Sequence, residues 1–340
     1  MRINAHGHLL PYPHEIPNFM RTQGIFWISD DGKYMCQGNW KRPITDRSFY
    51  LEEKIEWMDK NEIDKEVILN LSQLYCNGMP RQTTKDVLRF QNDFNRSIQA
   101  AHPDKFYGAF VVQPKYLDDA IDEIKGCTEG ENPMKIVCLP THFLTEDDRW
   151  LSIADESLTP IYELIDDLGL ALEVHPYDAE KIIHLKDEFW RFHLIWMCAQ
   201  TADTWHRFSL LDFPHRYKNI RTCFAHGNQV GLTLYGRRLQ GFNGRKDLFT
   251  NAISPQKTLV CENVFVDSIV HDVSTFKMVK ERIGVDQIVA GIDDPYPLGE
   301  MESVVDSYPG KVLDDAVDAQ ILSDQDRSKI WNTNVVRWIG

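Results

Sequence analysis

Cysteine is sparse in this 340-residue chain and never paired in a CxxC motif: Cys36, Cys76, Cys127, Cys138, Cys198, Cys223 and Cys261 lie far apart. An odd count without close spacing argues against a disulfide framework or a cysteine-based structural zinc site, and for buried free thiols in a reducing compartment. Positive charge is in deficit too. Lys and Arg number 37 against 51 Asp and Glu, a net charge of -14, and that field opposes nonspecific binding to nucleic acid or an anionic membrane. No apolar run approaches the ~18 residues of a membrane span, and Met1–Ala5 lacks the basic and apolar regions of a secretion signal. A cytoplasmic location is the expectation. Internal repeats, low-complexity tracts and linkers are missing as well, so a single domain over 1–340 is expected.

What is present is a rhythm. Short apolar, β-branched runs recur at Arg2–His6, Glu66–Ser72, Phe106–Gln113, Lys135–Pro140, Ala171–His175, Arg221–His226, Val264–Val270 and Gln287–Ile292. Runs this short and apolar on both faces read as parallel strands buried between helices and an interior. Helical patterns fall between them at Leu51–Asn61, Thr84–Ala101, Leu117–Lys125, Pro160–Leu168, Trp190–Leu211 and Val273–Ile283, with a last one at Asp324–Trp338. The alternation predicts an α/β chain folded as a (β/α)8 TIM barrel, with a doubly wound open sheet as the rival pattern. One segment, about 12–48, breaks the rhythm. It is rich in Pro, Gly and aromatics, and alternates around Asp31-Gly32, a hairpin signal. It reads as a small β insertion after the first strand, on the face where barrels place their chemistry.

His6-Gly7-His8 ends the first strand. Residues i and i+2 of an extended strand point to one side, so both imidazoles can face a single point, with Gly7 leaving room between them. HxH alone is a weak motif. His175, His226 and Asp293, however, also fall at the C-terminal ends of expected strands. Three imidazoles and a carboxylate drawn from this set suit Zn²⁺, whereas an all-oxygen magnesium site is excluded.

The segments INAHGHLLP, EVHPYD, TCFAHG and AGIDDPYPLGE, which carry these residues, together with DSIVHD after the seventh run, resemble the strand ends of the 2-amino-3-carboxymuconate 6-semialdehyde decarboxylase branch of the amidohydrolase superfamily. The resemblance spans nearly the whole chain. It implies one zinc ion per subunit on His6, His8, His175 and Asp293, with His226 as catalytic acid or base. It also implies loss of CO₂ without oxygen or a redox cofactor, in tryptophan or aromatic catabolism. Arg237, eleven residues after His226, matches an arginine that binds a substrate carboxylate across a homodimer interface. Trp196 matches an active-site tryptophan.

Two positions depart from the family pattern. A second carboxylate-binding arginine follows a DGK turn in the family, and here Cys36 occupies its place, leaving Lys41, Arg42 or Arg47 to supply the charge. Asp294 stands where a tyrosine is usual; it is expected either to hydrogen-bond a metal ligand or to point into solvent. His193, on a helix face, is a further candidate for lining the pocket, and Glu173 and Asp267, costly to bury unpaired, are expected to contact the ligands. A metal-dependent hydrolase or hydratase on another ring-cleavage product is the alternative function. A non-catalytic barrel is a third.

Overall fold

The computed structural model describes residues 1–184 and 186–340. Eight parallel strands pair in chain order: β1 (Ile3–Gly7), β2 (Lys65–Ile68), β3 (Phe106–Val111), β4 (Ile136–Pro140), β5 (Ala171–His175), β6 (Arg221–Phe224), β7 (Val264–Asp267) and β8 (Ile288–Val289). The rival open sheet is ruled out by the seam between the first and last strands. Ala5 N–H donates to the Ala290 carbonyl at 2.7 Å, Asp293 N–H to His6 at 2.8 Å and His8 N–H to Asp294 at 2.9 Å. The sheet therefore closes on itself, which removes its edges.

Alternation along the strands sorts the core. Val67, Ala109, Val111, Ile136, Cys138, Ala171, Cys223, Phe265 and Val289 pack together inside the ring with Ile3 and Ala5. Their neighbours Ile68, Phe110, Val137, Leu139, Leu172, Val174, Phe224, Val266 and Ile288 pack outward with the helices. The interior set is small because eight strands leave room for little more. At the N-terminal end of the strands, the helix Thr333–Ile339 brings the fully buried Trp338 against them, with its indole N–H donating to the Arg221 carbonyl at 3.1 Å.

Strict alternation from Ile3 and Ala5 would turn His6 outward. It does not, because the register slips. Asn4 pairs with Glu66 while Gly7 pairs with Ile68, so three steps along β1 match two along β2. This bulge re-aims the strand: His6 and His8 face inward and Gly7 outward. The space beside Gly7 does not separate the imidazoles, as expected from sequence; it is filled by Glu66, whose carboxyl lies 2.3 Å from where a Cβ would be.

The insertion forms a three-stranded antiparallel sheet, Trp27–Ile28, Tyr34–Gln37 and Trp40–Pro43. Several boundaries differ from the sequence expectation. A hairpin, His142–Leu144 with Trp150–Ser152, follows β4. The stretch expected as one helix from Trp190 opens with a π-helical turn, Phe192–Trp196, before the α-helix Met197–Leu210. The last expected helix is broken at Asn332 into Asp324–Trp331 and Thr333–Ile339. Among the described residues, no helix is long and apolar enough to cross a membrane, and all seven cysteines are free.

Candidate metal centre

Four side chains from three separate parts of the chain converge at the C-terminal rim. One ring nitrogen each of His6, His8 and His175 lies within 4.8 Å of the others. The Asp293 carboxylate reaches His8 Nε2 at 3.3 Å and His6 Nε2 at 3.7 Å. All four residues are buried. Asp293 is held in the left-handed region, at φ 60°, a conformation that costs a non-glycine residue about 1–3 kcal/mol and gathers at functional sites.

The tautomers follow from the partners. His6 Nδ1 sits 2.9 Å from Asp267 and His8 Nδ1 sits 3.3 Å from the Leu69 carbonyl. Carboxylates and carbonyls only accept, so both Nδ1 atoms carry protons and both Nε2 lone pairs are left facing Asp293. His6 Nε2 is buried without a hydrogen-bond partner among the described residues. Two lone pairs and a carboxylate at this separation need a cation or an extra proton between them. The donor set, imidazole nitrogen with one carboxylate and no thiolate, fits a divalent transition ion such as zinc or manganese.

Electrostatics report the same need. Burial opposes a charge on His6, but the hydrogen bond to Asp267 and the charge of Asp293 raise it to about 9. Burial works against the Asp293 carboxylate as well, yet its close contact with His8 and the positive charge on the neighbouring imidazoles hold it below the ordinary range. His175 and His226 are kept neutral, pushed down by burial and, for His175, by the neighbouring imidazoles. Inside the barrel below His6, burial pushes the Glu173 carboxyl well up.

His226 stands at the edge of the cluster, its ring 5.0 Å from His175 and 5.6 Å from His6. It opens a loop in which His226, Gly227 and Asn228 all have positive φ. Gly227 is required there, since a Cβ would lie 2.3 Å from Val270. Asp267 holds this loop. Besides the His6 imidazole, its carboxylate accepts the backbone N–H groups of His226 at 2.9 Å, Gly227 at 2.8 Å and Ile269 at 3.1 Å.

A cavity opens over the cluster, lined by His8, His175, His226 and Asp293 on the polar side and by Trp190, Leu194, Met197, Tyr296, Pro297 and Leu298 opposite. Arg42 is the one Lys or Arg among its described lining residues. Its guanidinium lies over the Tyr296 ring, 4.9 Å from the centroid, and Nη2 is 3.3 Å from His193 Nε2. Arginine can only donate, so His193 accepts; burial and Arg42 push its pKa down to about 4. His193 in turn stacks on Trp190, with centroids 4.9 Å apart.

The other sequence candidates lie elsewhere. Arg47 pairs with Glu302 at 2.9 Å and covers Trp57. Cys36 is buried in the middle strand of the insertion, across from Lys41 and next to the Met35–Arg42 pair. Trp196 is half-buried against Ala179, Phe192 and Met197, whereas Trp190 lines the cavity. Arg237 is exposed on the helix Tyr235–Gly244, none of whose side chains is fully buried. Asp294 does neither of the things expected of it: its side chain is fully buried, bound to Asn4 and Lys54 on the outer side of the ring. Sequence reading passed over Gln229 and Tyr296, and gave His271, after the seventh strand, only a local hydrogen bond; all three line the cavity, and the position of Tyr296 in DDPYPLGE, beside a strand end, was the available signal.

No family model matches the chain. Over its full length it is 25% identical to a 2-amino-3-carboxymuconate-6-semialdehyde decarboxylase of Dictyostelium discoideum, covering 92% of that protein. Over 90% of its length it is 29% identical to the enzyme of that name from Caenorhabditis elegans, covering 89%. Among solved structures it is similar to a 5-carboxyvanillate decarboxylase from Sphingomonas paucimobilis (TM-score 0.76, 18% identity, 99% of this chain and 98% of that one). The 5-carboxyvanillate decarboxylase of Novosphingobium aromaticivorans, solved with bound manganese, matches at TM-score 0.75 and 18% identity over 100% of this chain and 97% of that one.

With Asp267 accepting four donors, Asp267→Asn turns an amide N–H toward groups that also donate. Leaving buried donors unpaired costs about 1–3 kcal/mol each, so urea unfolding of the metal-free variant is expected to show a loss of at least ~2 kcal/mol. An unchanged midpoint would remove Asp267 from this role.

Proposed function

From its place among the amidohydrolase-fold decarboxylases, we propose that the chain is a zinc-dependent enzyme that removes CO₂ without oxygen from an unsaturated carboxylic acid of aromatic ring cleavage. The substrate is 2-amino-3-carboxymuconate 6-semialdehyde or a close relative of it. The observation that carries this reading is the convergence of three imidazoles and a carboxylate beside His226 at the floor of a cavity. The similarity along the whole chain to two decarboxylases supports it.

A divalent ion on His6, His8, His175 and Asp293 supplies Lewis-acid stabilisation of negative charge and eases proton removal from water. The protein does the rest. When the C–COO⁻ bond breaks, CO₂ leaves and the bonding pair stays on carbon, which must then gain a proton. His226, held neutral by burial, is placed to take a proton from water and pass it to that carbon, and the hydroxide left behind is reprotonated from solvent or combines with the released CO₂ as bicarbonate. The apolar wall of Trp190, Leu194, Met197 and Leu298 excludes bulk water and suits a flat conjugated substrate. Arg42 is the cation available to a carboxylate the product retains, a role that Cys36 cannot fill. Because His193 accepts from Arg42 and stacks on Trp190, the guanidinium is held toward the cavity without an acidic partner among the described residues.

The homodimer belongs to this proposal. A helix none of whose side chains is fully buried, carrying the exposed Arg237, is suited to lie against a second subunit and lend that arginine to its pocket. Trp196 packs behind the cavity wall in this reading.

Two assays test the proposal. Metal-loaded protein given the semialdehyde should release one CO₂ per substrate consumed without oxygen uptake; a hydrated product with no CO₂ would establish the hydratase alternative instead. His226→Ala should cut turnover by at least about 100-fold with its metal content retained, and undiminished turnover would exclude His226. Separately, Arg42→Ala should raise KM for a dicarboxylate substrate by roughly 10- to 100-fold, the effect of losing one charge-assisted contact, with a smaller change in kcat. An unchanged KM would mean that the second carboxylate is bound elsewhere.

A further inference from the structure

Directly behind the metal centre, on the outer side of the bulged strand, lies a cluster of charges with no access to solvent. Lys54, on the helix Leu51–Lys60, and Glu66 and Asp294 are each fully buried. The Lys54 ammonium has three protons and meets three acceptors: Asp294, Glu66 at 2.6 Å and the backbone carbonyl of His8 at 3.4 Å. Asn4 completes the cluster. Its amide group donates to Glu66 at 2.9 Å and Asp294 at 3.0 Å, while its oxygen accepts the backbone N–H groups of His6 at 3.1 Å and Ile292 at 3.0 Å.

Several of these contacts end on a candidate ligand's backbone or on its neighbour in the chain. Asn4 binds the amide of His6, Lys54 binds the carbonyl of His8, and Asp294 follows Asp293 in the chain. The Asp294 carbonyl also accepts the N–H of His8 at 2.9 Å. A staple needed only to close the barrel has no reason to use ions, since burying charge costs far more than burying apolar groups of the same volume. Glycine at position 7 is required by the same cluster, because any side chain there would displace Glu66.

We propose that Lys54 is a positioning residue for the metal centre: through Asp294 and the His8 carbonyl, its buried ammonium fixes where Asp293 and His8 present their ligand atoms. The inference rests on the reading of the four-residue cluster as a metal site. Groups that orient ligands without touching the ion typically change metal affinity 10- to 100-fold when removed.

The test compares two variants with the wild type, each stripped and titrated with Zn²⁺ and with Mn²⁺ against a chromogenic chelator. Lys54→Met with Asp294→Asn removes one charge of each sign, and the Glu66 carboxyl keeps its hydrogen bond from the Asn4 amide. Glu66→Gln leaves the Lys54–Asp294 pair in place. The double variant should bind both ions at least about tenfold more weakly, and Glu66→Gln within about twofold of wild type, an interval too small for a lost orienting contact. Wild-type affinity in the folded double variant, or equal losses in both variants, would reduce the cluster to a structural staple. Should the double variant fail to fold, Lys54→Arg decides. Its wider guanidinium cannot keep all three contacts in a closed space, so weakened metal binding is expected and wild-type affinity overturns the inference. Wild-type protein that binds neither ion would instead overturn the metal site itself.

Discussion

The hydrogen-bonded seam between the first and last strands is the constraint on which the site depends. Asp293 N–H donates to the carbonyl of His6, and His8 N–H donates to the carbonyl of Asp294. Residues nearly three hundred positions apart in the chain are thereby locked at hydrogen-bonding distance. The histidine pair and the carboxylate cannot approach one another in an open sheet. Closure of the barrel and assembly of the candidate metal centre are thus one event, and the bulge at Ala5–His6 decides that the imidazoles face inward when it happens.

Around that seam the protein separates two kinds of work. The inner side carries groups whose lone pairs are left over: the Nε2 atoms of His6 and His8, the Asp293 carboxylate and the His226 ring. The outer side and the neighbouring strand carry groups whose hydrogen bonds are used up, Asn4 and Asp267 above all. Saturated partners hold the unsaturated ones in place, which is how a buried polar site stays ordered in a low-dielectric interior. The left-handed conformations of Asp293 and His226 are tolerated because these partners leave the backbone no alternative.

Much of this was legible in the chain. The eight apolar runs and the positions of His6, His8, His175, His226 and Asp293 at their ends foretold the barrel and the face that holds the site, because strand periodicity and barrel geometry are local rules. What escaped depended on partners distant in sequence. Lys54 sits in an ordinary amphipathic helix pattern, and nothing nearby announces that Glu66 and Asp294 wait for it. The outward direction of Asp294, directly after the left-handed Asp293, is a backbone feature that no composition reveals. Trp190, held at positive φ just before the π-helical turn, lines the cavity where Trp196 does not, and Arg42 rather than Cys36 reaches it because of hairpin pairing in the insertion.

The most direct test is a titration of metal-stripped protein with Zn²⁺ by calorimetry at pH 6.5 and 8.5. Without an ion His6 holds its extra proton up to about 9, and binding must expel it, so affinity should rise with pH by up to about tenfold per unit. One ion per chain, bound more tightly at the higher pH and lost in His6→Ala, is the result expected. No stoichiometric binding at either pH would contradict the account at its root.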